Sequence, residues 1–285
     1  MPRPRPLSPF VVLGVLASGL VLLGLTVVLE GVVVAAVRGL SSNEALDLVT
    51  HDPGGLALAQ LVGLGVPVLL AAYLSEGGPR GFVSRAFAPC PLDRVLAAFV
   101  AGLALQLVMV ELSHLVTDAL PALRHSPDQE AALRETLRIH DVYSAITVPL
   151  ALVVSAPLTE ELLFRAFAQR ELALRTTRGA SIGVVAVLFA LFHMDGASVP
   201  SILLAGLALG AIADRWRSVR ISIALHAGVN LVPIAITEEI LPIRGFNDTD
   251  PSSHLAPLVL VTSLAVSVIA FVLAWQGPAP RGDSG

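Results

Sequence analysis

The sequence predicts an all-α polytopic membrane protein with about eight transmembrane helices. Of its 285 residues, 55% are hydrophobic and only 14% are charged, which is far too apolar for an ordinary soluble domain. The apolar residues also come in long blocks, and about twenty such residues cross roughly 30 Å of hydrocarbon. Because a lipid-exposed backbone must satisfy its own hydrogen bonds, each block is expected to be a helix.

Eight apolar blocks are expected to form these helices. The first is interpreted as a signal anchor, because it is long and has no convincing small-residue cleavage site. The fifth and sixth are short and are separated only by residues 194–198, so they could form a hairpin that crosses incompletely. The blocks are residues 10–37, 56–74, 94–117, 143–165, 180–195, 199–213, 220–237 and 255–275.

The basic residues predict the orientation and exclude some chemistry. All 18 are arginine, so lysine-dependent Schiff-base and P-loop enzymes are excluded. Thirteen lie in the two tails and the even-numbered loops, so both termini are expected to be cytoplasmic. The lack of lysine hints at a GC-rich genome and so at a bacterial cytoplasmic membrane. The single Cys90 excludes an intramolecular disulfide and a thiolate metal cage.

The chain is expected to be one membrane domain with three parts. Residues 1–142 hold three helices and a short helix on the outer surface, which the capping-box pattern of Ser126 and Gln129 predicts. Residues 143–237 hold helices four to seven and the candidate catalytic core. Residues 238–285 hold the last helix and a cytoplasmic tail. No basic patch indicates binding to nucleic acid.

Ionisable residues within the apolar blocks are the most informative, because each costs several kcal/mol in hydrocarbon and is usually paired or functional. Glu161 and Arg165 are four residues apart, so they share a helical face and can neutralise each other. The same step from Glu160 reaches only Phe164, which leaves Glu160 available as a general base. The ionisable residues in the blocks are Glu30, Glu111, His114, Glu160, Glu161, Arg165, His193 and His226.

Two other blocks supply polar groups that could meet Glu160. Phe189 and His193 share a face of the fifth helix, and His226 and Asn230 share a face of the seventh. If these helices reach comparable depths, the groups converge on the cytoplasmic side. A glutamate, two histidines and an asparagine are sufficient to activate water and to stabilise an oxyanion.

These three patterns resemble the motifs of a known family. E-E-x-x-x-R at 160–165, F-x-x-x-H at 189–193 and H-x-x-x-N at 226–230 are similar, in the same order, to those of the CPBP family. This family, also called Abi, comprises the CAAX-processing and bacteriocin-processing intramembrane proteases. The resemblance covers about residues 143–237, and the rest of the chain shows no matching motif.

The resemblance implies a role for each residue. Glu160 would activate water, and His193 would help to position it. His226 and Asn230 would stabilise the oxyanion, without a covalent acyl-enzyme. No cofactor is expected; the alternative is a divalent metal such as zinc bound by Glu160, His193 and His226, although no H-E-x-x-H pair is present. Structural support would come from Glu161, Arg165 and Phe189.

The predicted function is that of an intramembrane endopeptidase. Its partners would be the lipid bilayer and a membrane-anchored protein or peptide substrate, with no nucleic acid. The substrate could carry a prenylated tail, a leader peptide or a C-terminal sorting tail. Buried carboxylates and histidines also mark ion pathways, so a proton- or ion-coupled transporter is an alternative. A non-proteolytic bacteriocin-immunity protein is another, and cleavage that requires Glu160 would separate the three.

The remaining polar features receive structural interpretations. Ser181 lies in a G-x-S-x-G string but at the start of a helix, so helix packing is expected. Residues 237–239 repeat the Thr-Glu-Glu string without a following arginine, and a solvated pair is expected. Glu111 and His114 share a face and are interpreted as a polar pair. Glu30 is expected to be satisfied by a neighbour or to lie near the outer interface.

Overall fold

The computed structural model describes residues 6–238, 240–248 and 253–277, and the regular structure of these ranges is helical throughout. Arg3, Arg5, Glu239 and the tail after residue 277, which enter the predictions above, lie outside the described residues. The all-α prediction is confirmed. The helices are α1 (Pro9–Arg38), α2 (Ser42–His51), α3 (Pro53–Leu74), α4 (Gly78–Ala86), α5 (Leu92–Ala119), α6 (Pro127–Leu137), α7 (Val142–Ala173), α8 (Arg178–Phe192), α9 (Val199–Trp216), α10 (Val219–Ala235) and α11 (Pro257–Trp275).

Eight of these helices lie at the predicted apolar blocks. Within the described ranges, six are long and apolar enough to cross a membrane, namely α1, α3, α5, α7, α9 and α11. The apolar helices α8 and α10 are shorter, with 15 and 17 residues. At 1.5 Å per residue, α8 is only about 22 Å long, which is less than the hydrocarbon thickness. Of the two helices expected to form an incomplete hairpin, α8 is therefore the shorter, whereas α9 is among the six that are long and apolar enough to cross.

Two predicted boundaries are wrong, and both affect the candidate site. The sequence predicts that the fourth helix ends at residue 165, but α7 continues to Ala173. It also places His193 inside the fifth helix, but α8 ends at Phe192 and His193 is its C-cap residue. Met194 follows with a left-handed φ of 52°, which stops the helix. Glu160 therefore lies well inside its helix, whereas His193 lies just beyond the end of its own.

Helix α7 is irregular on both sides of the two glutamates. Leu150–Ser155 and Leu162–Gln169 are π-helical, and α7 also contains Pro149 and Pro157. Proline has no N–H to donate, so it interrupts the regular hydrogen bonding of a helix. Single π-helical turns are frequent at functional sites because they re-aim the side chains around them.

Close packing of α5 against α10 positions the last sequence motif. A Cβ added to Gly102 on α5 would overlap the carbonyl oxygen of Leu225 on α10. One added to Gly228 on α10 would likewise overlap the carbonyl oxygen of Phe99 on α5. Only glycine permits such a close backbone approach, which is typical of helices packed in membranes. Gly228 lies between His226 and Asn230, so this contact fixes the part of α10 that carries both.

Hydropathy does not predict the short helices α2 and α4, because they are too short and too polar to be recognised as membrane spans. The capping box of Ser126 with Gln129 opens α6, as the sequence predicts. The best-buried core side chains come mainly from α7 to α10: Leu163, Phe164, Phe167, Phe189, Leu209, Ile212, Ile221 and Leu225.

Candidate active site

A buried ion pair lies at the centre of the site. Nη1 of Arg165 is 3.1 Å from Oε1 of Glu161, and both side chains are 0% exposed. The contact is an ion pair without hydrogen-bond alignment, because Nη1 has no aligned acceptor. Arg165 also donates from Nη2 to the carbonyl of Gly206 on α9 at 3.4 Å, and its guanidinium lies 4.1 Å from the centroid of the Phe189 ring. The pair expected from the four-residue spacing is thus present, and it joins α7 to α8 and α9.

His226 connects the two adjacent glutamates. Its Nδ1 is 3.1 Å from Oε1 of Glu161, and its Nε2 is 3.9 Å from Oε2 of Glu160. As the carboxylate partner of Arg165, Glu161 can only accept a hydrogen bond, so Nδ1 of His226 carries the proton and donates it. This bond fixes the orientation of the imidazole and turns Nε2 toward Glu160.

Glu160 is buried and incompletely bonded. Its side chain is 11% exposed, and among the described residues its Oε2 has no hydrogen-bond partner. The 3.9 Å separation from Nε2 of His226 is too long for a direct hydrogen bond. Buried acceptors without partners are uncommon in proteins, so this oxygen is a feature that needs a functional explanation.

His193 lies at the exposed side of the same group. Its Nδ1 donates to the carbonyl of Phe189 at 2.8 Å, which leaves Nε2 as the nitrogen free to contact other molecules. The Phe189 ring packs edge-on against both imidazoles, with centroids 4.8 Å from His193 and 5.9 Å from His226. Because His193 is exposed and His226 is buried, the site has an open side and a closed side.

Asn230 supports the irregular part of α7. Its Nδ2 donates to the carbonyl of Leu152 at 2.8 Å. In this π-helical turn the N–H of Ala156 bonds to Ala151, five residues back. The residue that would serve Leu152 in the same way is Pro157, which has no N–H. Asn230 therefore supplies the missing donor, and the second hydrogen of its amide remains for another acceptor.

A family model covers all of these residues. Residues 143–232 match the model described as type II CAAX prenyl endopeptidase Rce1-like. This region therefore matches the CPBP/CAAX protease family. The resemblance predicted from the three motifs is confirmed, and at the family level it indicates a CAAX-type intramembrane protease. Residues 1–142 and 233–285 lie outside the match. No curated protein and no solved structure matches the chain.

The CAAX-protease region contains a polar contact that the motif reasoning missed. Gln169, one turn after Arg165, donates from Nε2 to the carbonyl of Gly210 at 2.9 Å. Arg165 bonds in the same way to Gly206, four residues earlier on α9. The two donors on α7 are four residues apart, and so are the two glycines on α9 that accept from them. These two bonds fix how α7 is aligned along α9. The paired spacings in the sequence are the signal that could have revealed it.

The alternative metal set is not assembled in the CAAX-protease region. The ligand atoms of Glu160, His193 and His226 are not all within 4.8 Å of one another. Among the described residues a different group of three side chains meets this distance, and it lies outside the family match. A metal shared by Glu160, His193 and His226 would therefore require these side chains to move.

Two other expectations can be compared with the structure. Ser181 is buried and donates its hydroxyl to the carbonyl of Arg178 at 2.8 Å, in the first turn of α8. Of the two alternatives for Glu30, a neighbour that satisfies it is not found among the described residues, where both of its oxygens are buried without hydrogen-bond partners, and a place near the outer interface stays a prediction. Oε2 of Glu30 faces the backbone of Gly55, and a Cβ added to Gly55 would lie 3.0 Å from it.

Proposed function

We propose that the protein is an intramembrane endopeptidase that cleaves a membrane-anchored protein or peptide with a water molecule activated by Glu160. The observation that carries this proposal is the buried Oε2 of Glu160, which has no partner among the described residues and lies 3.9 Å from Nε2 of His226. One water molecule can bond to two groups at this separation when it lies off the line between them. A carboxylate with an unused acceptor is suited to deprotonate that water.

The reaction then needs no covalent intermediate. Glu160 takes a proton from water while the water oxygen bonds to the carbonyl carbon of the scissile peptide. The carbonyl oxygen becomes an oxyanion in the tetrahedral intermediate. As the C–N bond breaks, the protonated Glu160 gives its proton to the leaving nitrogen. The products are a carboxylic acid and an amine, and Glu160 returns to its carboxylate form.

Oxyanion stabilisation is assigned to His226 and Asn230. Because Glu161 accepts from Nδ1 of His226, a protonated His226 can donate from Nε2 to the oxyanion. The second amide hydrogen of Asn230 can serve as the other donor.

His193 is proposed to orient the attacking water. It lies at the open side of the site, and its Nε2 is not occupied by the bond that Nδ1 makes to Phe189. In this scheme Glu161 and Arg165 act as positioning residues, since they hold His226 and do not contact the reacting atoms.

The proposed activity can be tested before any substrate has been identified. Two strains of the native host would express wild-type protein or Glu160→Gln at equal levels, and the termini of their membrane proteins would be compared by quantitative mass spectrometry. At least one terminus should depend on Glu160. His140→Ala is a suitable control, because His140 is exposed and lies outside the family match. Identical termini in both strains, together with proton or solute movement that requires Glu160, would instead establish a transporter.

A further inference from the structure

A second group of ionisable side chains lies between α5 and the segment that precedes α11. Glu111 on α5 is only 7% exposed, and both of its oxygens are bonded. Oε1 lies 2.8 Å from Nδ1 of His254, and Oε2 accepts from the backbone N–H of Leu255 at 2.9 Å. The other nitrogen of His254 lies 2.8 Å from Oδ2 of Asp118. His254 therefore lies between two carboxylates of one helix.

His114 completes the group and has an unused nitrogen. It follows Glu111 by three residues, so the two share a face of α5, as predicted. The structure adds His254 to this pair, with its ring centroid 6.0 Å from that of His114. Within the described ranges, Nδ1 of His114 is buried without a hydrogen-bond partner. Glu111, His114 and His254 each bring one ligand atom within 4.8 Å of the other two.

We propose that Glu111, His114 and His254 bind one zinc ion that serves a structural role. Two imidazoles and a carboxylate are a typical zinc ligand set, and water can complete a tetrahedral site. Zinc–ligand bonds of about 2.0–2.1 Å place tetrahedral ligand atoms about 3.3 Å apart. Oε1 of Glu111 and Nδ1 of His254 would therefore separate by about 0.5 Å, and the ligand atom of His114 would move inward.

Asp118 strengthens the assignment because it contacts the ring nitrogen of His254 that would not bind zinc. A histidine bound to zinc usually donates its other ring nitrogen to a carboxylate, which fixes the ring and increases its basicity. Nε2 of His254 already makes this contact with Asp118. Without zinc, the two ring nitrogens of His254 can donate to these carboxylates, and the hydrogen bonds that Glu111 and Asp118 accept raise the pKa of His254.

The location of the ion explains what it would stabilise. His254 lies just before α11, whereas Glu111 and His114 lie on α5, so zinc would join the two helices. α5 is also the helix against which α10 packs through Gly102. His114 lines a cavity of about 750 Å³ whose wall includes the exposed Arg124, which gives the ion a route to the site.

The test is the zinc content of the purified full-length protein in detergent, after removal of any affinity tag and dialysis against zinc. The wild type should hold one equivalent, and His114→Ala should hold less than about a tenth of it, because loss of a ligand should weaken binding at least as much as the roughly 10–100-fold caused by loss of a supporting carboxylate. Asp118→Asn should bind zinc about 10–100-fold more weakly. His140→Ala is the matched control, because it removes an exposed imidazole elsewhere. Co²⁺ should give the visible absorption of a tetrahedral site in the wild type and lose it in His114→Ala.

The same measurement separates this site from the proposed catalytic residues. Glu160→Gln and His193→Ala should keep the zinc. Zinc lost in these variants and retained in His114→Ala would place the ion at the catalytic residues and overturn the proposal. A wild-type protein that binds no zinc would also overturn it. His114→Ala is the decisive variant, because Nδ1 of His114 makes no hydrogen bond within the described residues and the fold should tolerate its loss.

Discussion

Glu161→Gln should destabilise the protein far more than the same substitution at its neighbour Glu160. The change removes the counter-charge of Arg165, whose side chain is 0% exposed and lies 3.1 Å from Glu161. Loss of one partner of a buried ion pair costs about 3–5 kcal/mol of the free energy of unfolding. Arg165 keeps its contacts with the Gly206 carbonyl and the Phe189 ring, so a value near the lower limit, about 3 kcal/mol, is expected.

Glu160→Gln is the matched control for this prediction. Its Oε2 has no hydrogen-bond partner among the described residues, so an amide of the same shape should change the free energy of unfolding by less than about 1 kcal/mol. At about 2–4 °C per kcal/mol, Glu161→Gln should unfold roughly 6–12 °C below the wild type and Glu160→Gln within a few degrees of it.

The assay is thermal unfolding in detergent, followed by tryptophan fluorescence. Trp216 is 3% exposed, and its indole N–H donates to the carbonyl of Ala274 at 2.9 Å, so its emission reports the loss of packing. The double variant Glu161→Gln with Arg165→Met should recover part of the loss, because it removes the unpaired charge. Equal melting temperatures for the two single Glu→Gln variants would refute the assigned roles of the pair.

Three further predictions concern topology, packing and metal. Reporter fusions after Arg178 and after Arg220 should both report the cytoplasm and one after residue 130 the outside; opposite sides for the first two would contradict eight crossings. Gly102→Ala should lower the free energy of unfolding by about 1–3 kcal/mol, because its Cβ would overlap the Leu225 carbonyl; an unchanged melting temperature would show that α5 and α10 are not packed so closely. After a chelator wash, the protein should still cleave its substrate, but its melting temperature should fall because the proposed structural zinc is removed. If the His114→Ala variant lost cleavage in the same wash and regained it when zinc was added, the reaction would not be metal-free.

Local patterns in the sequence predict most of the described helices and two contacts of the site. Blocks of apolar residues predict eight of the eleven described helices, because hydrophobic length is a local property. The Glu161–Arg165 pair follows from the four-residue spacing alone. The same rule places Phe189 and His193 on one face, and the bond between His193 and the Phe189 carbonyl spans the same four residues.

Contacts between distant segments cannot be predicted in this way. The Asn230–Leu152 bond depends on a π-helical turn and on Pro157, and hydropathy does not reveal such a turn. His254 is 143 residues from Glu111, and only the packing of α11 on α5 brings them together. The end of α8 before His193 is missed because the predicted block runs through Met194, and composition does not reveal the left-handed backbone there that stops the helix.

The central claim is that Glu160 activates the water that hydrolyses the peptide bond. Its most direct test is the cleavage rate of Glu160→Gln, measured with the purified protein on a substrate whose terminus depends on Glu160 in the host. The rate should fall by about a thousandfold while the transition in tryptophan fluorescence stays within a few degrees of the wild type. Near-normal cleavage by Glu160→Gln, with a folded Glu161→Gln that does not cleave, would contradict the account and would make Glu161 the base.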